Sequence, residues 1–229
     1  GFNGTHVFFP TEFLHGLYDG GHGAGLEDFW NLILDRPRAA GGFLWVFSDE
    51  AVLRTDQDGK LDSDGNHAPD GILGPYREKE GSYFTIKEIW SPIQFEDILI
   101  TPHFDGRLKV NNQFHFTNLN ECSFFYEFAR FPGPDSHPET YESMVYGQVK
   151  SPILEPGSSG LLKIDLPDNW QDADVLYLQA VDPQGREIYT WSWPVNLPSA
   201  YLEKQQILTP IGTAPATVQE NNGSVWLAS

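Results

Sequence analysis

The sequence predicts an α/β region followed by an all-β region, and three observations support this fold class. An apolar run at residues 7–9 precedes residues 26–36, where apolar side chains recur at helical spacing, and a continuous apolar run follows at 41–47. A strand, a helix and a second strand in this order form a β-α-β unit, and the second strand is expected to be buried on both faces. From residue 96 onward, short β-type runs separated by turn residues replace this alternation.

The β-type runs follow one another at near-regular spacing, which is typical of an immunoglobulin-like antiparallel β-sandwich. The seven runs are residues 96–104, 107–118, 123–131, 143–151, 160–167, 174–182 and 187–195. The tail "ATVQENNGSVWLAS" has the pattern of a hairpin that begins another sheet. We therefore predict three parts: a barrel segment at 1–95, the β-sandwich domain at 96–200, and a linker with the start of a further β-sandwich domain at 201–229.

The α/β region is too small to close a sheet by itself. Besides the β-α-β unit it holds a second predicted helix, residues 82–93, which ends near Pro92. Two strands and two helices cannot bury their apolar faces unless a full ring of such units surrounds them. We therefore expect this region to be the end of a (β/α)8 TIM barrel whose remainder lies upstream of Gly1.

Composition and charge exclude several kinds of partner. The formal net charge of −18 makes nucleic acids and anionic membranes poor partners, because both are themselves anionic. No stretch approaches the ~18 apolar residues that would span a membrane. The single cysteine, Cys122, lies in the apolar stretch "NECSFFYEF" and is predicted to pack in the core rather than to act as a nucleophile.

Two loops resemble known ligand sites but depart from the patterns that those sites require. Gly20, Gly23 and Gly25 do not have the dinucleotide-binding order, and we expect them to turn the chain near a site or to connect two elements. Residues 56–66, "DQDGKLDSDGN", lack the glycine and the final glutamate of an EF-hand loop. We predict an acidic hairpin turn there.

Glu12 ends an apolar run in "HVFFPTEFLHG", and this position has two interpretations. The carboxylate marks the point where a strand meets water, or it is an acid at the mouth of a barrel. In parallel barrels, catalytic groups lie at the carboxyl ends of the strands. Trp45, in the next apolar run, offers a flat ring that either fills the core or accepts the apolar face of a sugar.

Longer motifs around these residues resemble the end of the catalytic barrel in family 2 glycoside hydrolases, particularly β-galactosidases. The motifs are "FFPTEFLHG", the helix "LEDFWNL", "AAGGFLWVFSDEAV" and "GNHAPDGILGPYREKEGSYFTIKEIWSPIQF". The similarity covers about the first 95 residues, and the next hundred match more loosely as the β-sandwich that follows the barrel. The resemblance implies hydrolysis of terminal β-galactosides.

The resemblance also implies roles for single residues. Glu12 occupies the position of the nucleophile, and His15 that of a histidine which binds sugar hydroxyls. Trp45 matches a tryptophan of the galactose pocket. His67 and Asp70 fall at pocket and sodium-ligand positions, where better-known β-galactosidases have Phe and Asn.

A further departure lies beside the tryptophan, where this chain has Val46 and the family usually has Asp. Together with the changes at His67 and Asp70, it puts the sodium site and the sugar specificity in question. We expect no cofactor within this chain, because the family's magnesium ligands lie upstream.

A retaining glycosidase needs two carboxyl groups about 5–5.5 Å apart, one of which is a nucleophile and the other a general acid/base. In the family, the general acid precedes the nucleophile by several tens of residues. We therefore expect that acid to be absent from this chain and the isolated chain to be inactive. The resemblance leaves room for a homo-oligomer, and it favours a periplasmic or secreted location over a cytoplasmic one.

Two alternatives remain open at this point. In the first alternative, the chain is a non-catalytic carbohydrate-binding or structural β-sandwich module, and Trp191 and Trp193 form a platform on one strand face. Within the enzyme class, the nearest rivals are β-glucuronidase-like and β-mannosidase-like activities. The long match around Trp45 and Asp70 ranks these rivals below β-galactosidase.

Overall fold

The computed structural model describes residues 5–16, 22–63, 69–132, 141–197, 199, 202–203, 217–221 and 224–228. The chain divides into two compact units, Gly1–Gln94 and Phe95–Ser229. The division into three domains stays a prediction. Within the described ranges, no helix is long and apolar enough to cross a membrane.

In its described residues, the first unit contains two α-helices, one hairpin and three short extended segments. The elements are helix α1 (His22–Leu34), strands β1 (Ala51–Arg54) and β2 (Lys60–Ser63), and helix α2 (Gly81–Ile89). The extended segments meet at single parallel bridges, Phe8 with Ala39, Phe13 with Leu44 and Ser48 with Leu73. Helix α1 lies between two extended segments, as predicted, but residues 7–9 and 41–47 form isolated bridges instead of strands, so the β-α-β unit stays a prediction. Closure into a TIM barrel stays a prediction.

The apolar run 41–47 is not buried on both faces, so that prediction is wrong. Phe43 and Phe47 are 61% and 64% exposed. Leu44 lies between them and packs against the buried cluster of Leu14, Leu26 and Ile86. Successive side chains of an extended segment point to opposite sides, and the side that carries Phe43 and Phe47 stays largely open to solvent.

Helix α1 begins four residues before its predicted start, at His22, and ends two residues early, at Leu34. Gly23 and Gly25 therefore lie within the helix instead of turning a loop. A Cβ atom added at Gly23 would lie 2.5 Å from Cγ2 of Thr85 on helix α2. Gly23 thus permits the close approach of the two helices, which sequence reasoning did not anticipate.

The predicted acidic hairpin is confirmed. Strands β1 and β2 pair antiparallel, with Ala51 opposite Ser63 and Arg54 opposite Lys60. The guanidinium of Arg54 donates to the carboxylates of Asp56 and Asp62 at 2.7–2.8 Å. These hydrogen bonds join the turn to the second strand.

The second unit consists mainly of antiparallel strands. They are β3 (Ile93–Phe95) at the boundary, β4 (Arg107–Asn112), β5 (Ser123–Arg130), β6 (Glu142–Val149), β7 (Ser159–Lys163), β8 (Val175–Val181), β9 (Glu187–Pro194), β10 (Thr217–Asn221) and β11 (Ser224–Ala228). The strand orders are β3-β4-β7 in one sheet and β6-β5-β8-β9 in the other, and β10 and β11 form the predicted tail hairpin. Two such sheets are consistent with a β-sandwich, and the immunoglobulin-like topology stays a prediction.

Six of the seven predicted runs contain strands of this unit, and the first run does not. Residues 96–104 have no strand, and the strand expected there lies earlier, at Ile93–Phe95. Pro102 cannot donate to a strand ladder, and the chain turns at this residue.

The core of the second unit lies on the inward faces of its strands. The largest side chains that are at most 1% exposed are Leu108, Val110, Leu119, Phe124, Phe128, Leu162, Ile164, Leu176 and Leu178. Asn112 is also buried, and its side chain bonds to three backbone groups, the carbonyls of Thr117 and Leu154 and the N–H of Phe114. Its amide therefore ties a loop to the end of β4 without leaving a buried polar atom unsatisfied.

Cys122 is buried, as predicted, and lies directly before β5. Burial raises the pKa of its thiol to about 11. The thiol is therefore protonated at neutral pH, which supports a packing role over a nucleophilic one.

Candidate active site

Backbone hydrogen bonds align the three extended segments of the first unit. Phe13 donates to the carbonyl of Phe43 at 3.0 Å, and Trp45 donates back to the carbonyl of Phe13 at 3.3 Å. Val46 then donates to the carbonyl of Asp70 at 3.0 Å. Glu12, Trp45 and Asp70 are therefore brought to neighbouring positions although they are far apart in the sequence.

Leu14 redirects the chain between Glu12 and His15. Its φ is +53°, a left-handed conformation that is uncommon for a residue other than glycine. The side chain of Leu14 is only 8% exposed and packs with Leu26 of α1 and Ile86 of α2. Packing of the two helices thus holds the turn that sets the spacing of the candidate site.

A carboxylate–imidazole–carboxylate chain is the central feature of the site. Nε2 of His15 lies 2.7 Å from Oε1 of Glu12, and Nδ1 lies 3.0 Å from Oδ2 of Asp70. The Asp70 side chain is 8% exposed, that of His15 is 27% exposed and that of Glu12 is 51% exposed. The chain therefore runs from a buried carboxylate to one that solvent reaches.

Both carboxylates favour the protonated form of His15. The hydrogen bond to Asp70 is the largest cause that raises its pKa above the ordinary value of 6.5; burial opposes this effect, and the hydrogen bond to Glu12 reinforces it. An imidazole donates to both acceptors only when both ring nitrogens carry protons. The arrangement thus stabilises an imidazolium between two carboxylates.

Trp45 lies beside the same imidazole. The two rings are stacked, with centroids 6.0 Å apart and an angle of 29° between their planes. The Trp45 residue is 36% exposed, so part of the indole surface stays open to solvent. The peptide bond between Trp45 and Val46 is cis.

Four of the five site residues singled out from the sequence therefore lie together. Glu12, His15 and Asp70 form the hydrogen-bonded chain, and Trp45 contacts it through the His15 ring. His67 lies outside the described residues. The roles assigned to these residues stay predictions.

Sequence reasoning missed the contact between His15 and Asp70, which are 55 positions apart. It also missed Asp49, whose Oδ1 accepts a hydrogen bond of 2.8 Å from the N–H of Gly71. A side chain at Gly71 would collide with the backbone of Ser48 and Asp49. This close approach fixes the backbone next to Asp70, and no local motif indicates it.

Metal binding finds little support in this arrangement. Across the parts of the chain that the structure describes, no group of three or more His, Cys, Asp or Glu side chains is placed to hold a metal ion. Oδ2 of Asp70, the matched sodium-ligand position, is engaged by His15. The expectation of no cofactor within this chain stays a prediction.

The platform predicted from Trp191 and Trp193 does not exist as an exposed surface. Trp191 is 6% exposed, and Trp193 is half-buried. Both rings pack edge-on against Phe95, with centroid distances of 4.7 and 5.6 Å. They belong to the interior of the second unit. Trp191 pairs with Leu178 and Trp193 pairs with Leu176 across β8 and β9, so all four side chains lie on the same face of the sheet.

Comparison with known proteins gives partial similarities. The chain is 27% identical over 170 residues to a beta-galactosidase of Actinobacillus pleuropneumoniae, covering 71% of this chain and 15% of that protein. It is 25% identical over 133 residues to a beta-galactosidase of Priestia megaterium, covering 53% of this chain and 12% of that protein. The chain therefore spans less than one sixth of the length of these relatives.

No protein-family profile matches the chain. Among solved structures, an exo-chitosanase of Amycolatopsis orientalis aligns with 85% of this chain and 18% of its own, at 10% identity and a TM-score of 0.27. In sequence, the chain is thus similar to proteins named as glycoside hydrolases.

Proposed function

We propose that this chain is part of a β-galactosidase-like retaining glycoside hydrolase that releases terminal β-galactosyl residues. The observation that carries the proposal is the Glu12 carboxylate, held 2.7 Å from His15 at the exposed end of a chain anchored by Asp70. The similarity to beta-galactosidases over 71% of this chain supports the substrate class.

Glu12 acts as the nucleophile in this proposal. Its carboxylate attacks the anomeric carbon, the glycosidic C–O bond breaks, and the leaving oxygen takes a proton from a general acid. Water, deprotonated by the same residue, then cleaves the glycosyl ester and regenerates the Glu12 carboxylate. The nucleophile must be held in place, and Oε1 of Glu12 lies 2.7 Å from Nε2 of His15, which orients the carboxylate.

His15 and Asp70 are positioning residues in this mechanism. When Glu12 is esterified, its carboxylate charge disappears and its interaction with His15 weakens. Asp70 keeps its hydrogen bond to His15 through that interval, so the imidazole stays in position to meet the carboxylate when it leaves again. This role goes beyond sugar-hydroxyl binding, which the resemblance alone implies.

Because the resemblance implies a general acid that precedes the nucleophile by several tens of residues, we assign the general acid/base to a residue outside this chain, in the remainder of the barrel. The isolated 229-residue chain is then inactive. Rapid hydrolysis of a chromogenic β-galactoside by the purified chain would contradict this assignment. No step of the proposed reaction needs a metal within this chain. From the resemblance, we place the whole enzyme in the periplasm or outside the cell.

The nucleophile is tested in the complete enzyme with the substitution Glu12→Gln. We expect the turnover of a chromogenic β-galactoside to fall by at least roughly 1,000-fold, because the amide cannot form the glycosyl ester. Glu27→Gln, which alters an exposed carboxylate on α1, is the matched control and leaves turnover unchanged. Ordinary turnover by Glu12→Gln would remove the assignment.

A covalent label gives a second readout. A 2-deoxy-2-fluoro-galactoside slows hydrolysis of the glycosyl-enzyme, so mass spectrometry after proteolysis locates the modified residue. We expect the added mass on the peptide that contains Glu12. Labelling of another carboxylate would overturn the mechanism without bearing on the substrate class.

A further inference from the structure

The four-stranded sheet of the second unit has an outward face that the proposed reaction does not use. Phe124 and Phe128 of β5 point inward and are fully buried. Phe125 and Glu127 alternate with them and therefore point outward. We name this outward face of the four-stranded sheet the β5 face.

Aromatic and polar side chains alternate across the β5 face. Glu127 lies opposite Tyr146 of β6 on one side and Tyr177 of β8 on the other. Phe125 has the reverse pattern, since it lies opposite Gln148 and Gln179. On β5, the ring of Phe125 thus has a polar side chain on each side, and Glu127 has a ring on each side.

Two cavities lie on this face. The first, about 350 Å³, is lined by Phe125, Glu127, Tyr141, Tyr146, Tyr177 and Gln179 among others. The second, about 450 Å³, is lined by Phe131, Asp174, Val175, Ser192, Pro194 and Leu202 among others. Tyr177 of the first cavity lies directly opposite Ser192 of the second, so the two adjoin.

The rings of the first cavity are open to solvent and suitably oriented for stacking. Tyr146 and Tyr141 are 64% and 55% exposed. The rings of Phe125 and Tyr146 are nearly parallel, at 7°, with centroids 6.0 Å apart. Oη of Tyr141 lies 3.4 Å from Oε2 of Glu127, which places polar atoms at the edge of the aromatic surface.

The second cavity contains a buried acceptor without a partner. Asp174 is 5% exposed, and its Oδ2 accepts a hydrogen bond of 2.8 Å from the N–H of Phe131. Its Oδ1 has no hydrogen-bond partner within the described structure. Oδ1 itself has almost no accessible surface, so a ligand hydroxyl group reaches it only when side chains around Asp174 shift, and it would then satisfy an otherwise unfavourable buried acceptor.

The dimensions and charge of the surface indicate the ligand. From Phe125 to Phe131 the two cavities follow six residues of extended chain, which is about 20 Å. A pyranose ring has flat apolar faces and hydroxyl groups at its edges. A linear chain of such rings matches an elongated surface of this kind. The net charge of −18 disfavours an anionic chain.

We propose that the β5 face binds a neutral, linear oligosaccharide, with sugar rings on its aromatic side chains and a hydroxyl donor at Oδ1 of Asp174. This site lies within the second unit and does not depend on Glu12. It also differs from the Trp191 and Trp193 platform, because it uses the opposite face of the sheet.

The proposal is tested by calorimetric titration of β-1,4-galactotetraose into the intact 229-residue chain. We expect binding that is unchanged by Val52→Ala, which alters an exposed side chain of the first unit outside the candidate active site. Tyr146→Ala should weaken the affinity roughly 3–10-fold through loss of one stacking ring. Phe116→Ala is the matched control, because Phe116 is a 95% exposed ring elsewhere in the second unit, and it should have no effect.

The buried acceptor is tested by Asp174→Asn. The amide oxygen keeps an acceptor for the N–H of Phe131, and the amide nitrogen replaces the free acceptor with a donor. We expect the affinity for the tetraose to fall at least as far as in Tyr146→Ala. If this variant does not fold, as judged by circular dichroism, the comparison of Tyr146→Ala with Phe116→Ala still decides the proposal.

The following outcomes would overturn the proposal. They are no binding of the tetraose, equal weakening by Tyr146→Ala and Phe116→Ala, binding abolished by Val52→Ala, and equally tight binding of tetragalacturonate. Galactose bound as tightly as the tetraose would also contradict it, because an extended surface must favour the chain over the monomer.

Discussion

The two units of the chain differ in how they bury apolar side chains. In the second unit, Phe124 and Phe128 are 0% exposed in the core between the sheets. In the first unit, Phe43 and Phe47 are 61% and 64% exposed. The candidate active site therefore lies in the unit whose own apolar side chains are less completely covered.

The units also differ in backbone pairing. Strands β5 and β8 pair over seven consecutive residues, from Ser123 to Ala129. The extended segments that carry Glu12, Trp45 and Asp70 meet only at single parallel bridges. The geometry of the site thus rests on a few hydrogen bonds and on the packing of α1 and α2, whereas the sandwich is held by long cooperative ladders.

The largest expected effect compares one phenylalanine from each unit. Phe128→Ala removes a fully buried ring and should lower the free energy of unfolding by roughly 3–5 kcal/mol. Phe47→Ala removes a ring that is 64% exposed and should change it by less than about 1 kcal/mol. Denaturant unfolding curves of both variants measure the difference. Equal losses of unfolding free energy in the two variants would show that the burial of these rings does not control stability.

A smaller effect is expected where α1 meets α2. Gly23→Ala places a Cβ atom 2.5 Å from Cγ2 of Thr85, so the helices must separate, at a cost of roughly 1–3 kcal/mol. Gly25→Ala is the matched control, because its nearest contact would be an ordinary 3.7 Å from Leu14. Since alanine favours helix, Gly25→Ala should stabilise α1 by up to about 1 kcal/mol.

The opposite signs of these two substitutions are measurable in the helical circular dichroism during unfolding, to which α1 and α2 contribute. If Gly23→Ala were as stable as Gly25→Ala, the close approach of the helices would not constrain the turn at Leu14. The site would then be less dependent on helix packing than the contacts of Leu14 imply.

The smallest expected effect on the free energy of unfolding comes from the protonation of His15. Its pKa is raised above 6.5, chiefly by the hydrogen bond to Asp70. Proton NMR of the imidazole should give a midpoint above 6.5, with Asp70→Asn lowering it more than Glu12→Gln does. The reverse order of the two variants would contradict the arrangement in which Asp70 is the principal partner.

The sign of the pH dependence follows from the direction of this shift. A group whose folded pKa is raised contributes stability that is fully present below its unfolded pKa, here about 6.5, and lost as the pH rises through the folded pKa. The stabilisation by His15 should therefore decline on the alkaline side of 6.5. In His15→Gln this decline should be absent from stability measured across the same pH range.

Local sequence patterns predicted much of this structure. Alternation of apolar and polar residues located six strands of the second unit, and the Asp-Gly turn located the β1–β2 hairpin. Glu12 and His15 were singled out through the resemblance, but the hydrogen bond between them was not predicted. For the strands and the hairpin, the signal and the structure lie within a few residues of each other.

The other features that escaped prediction depend on contacts between distant segments. Asp70 reaches His15 across 55 positions, and Gly23 serves a contact with Thr85 on another helix. The exposure of Phe43 also depended on which side of its segment finds neighbours, which an apolar run cannot specify. Periodicity describes one segment at a time, so it carries no information about such pairs.

The buried state of Cys122 has a practical consequence. It is the single cysteine of the sequence, it is 2% exposed, and its thiol has a pKa of about 11. Thiol-directed dyes should leave the native chain unmodified at neutral pH, since they need an accessible thiolate. A cysteine introduced at an exposed position such as Phe116 could therefore carry a single fluorophore, without any need to remove the natural one.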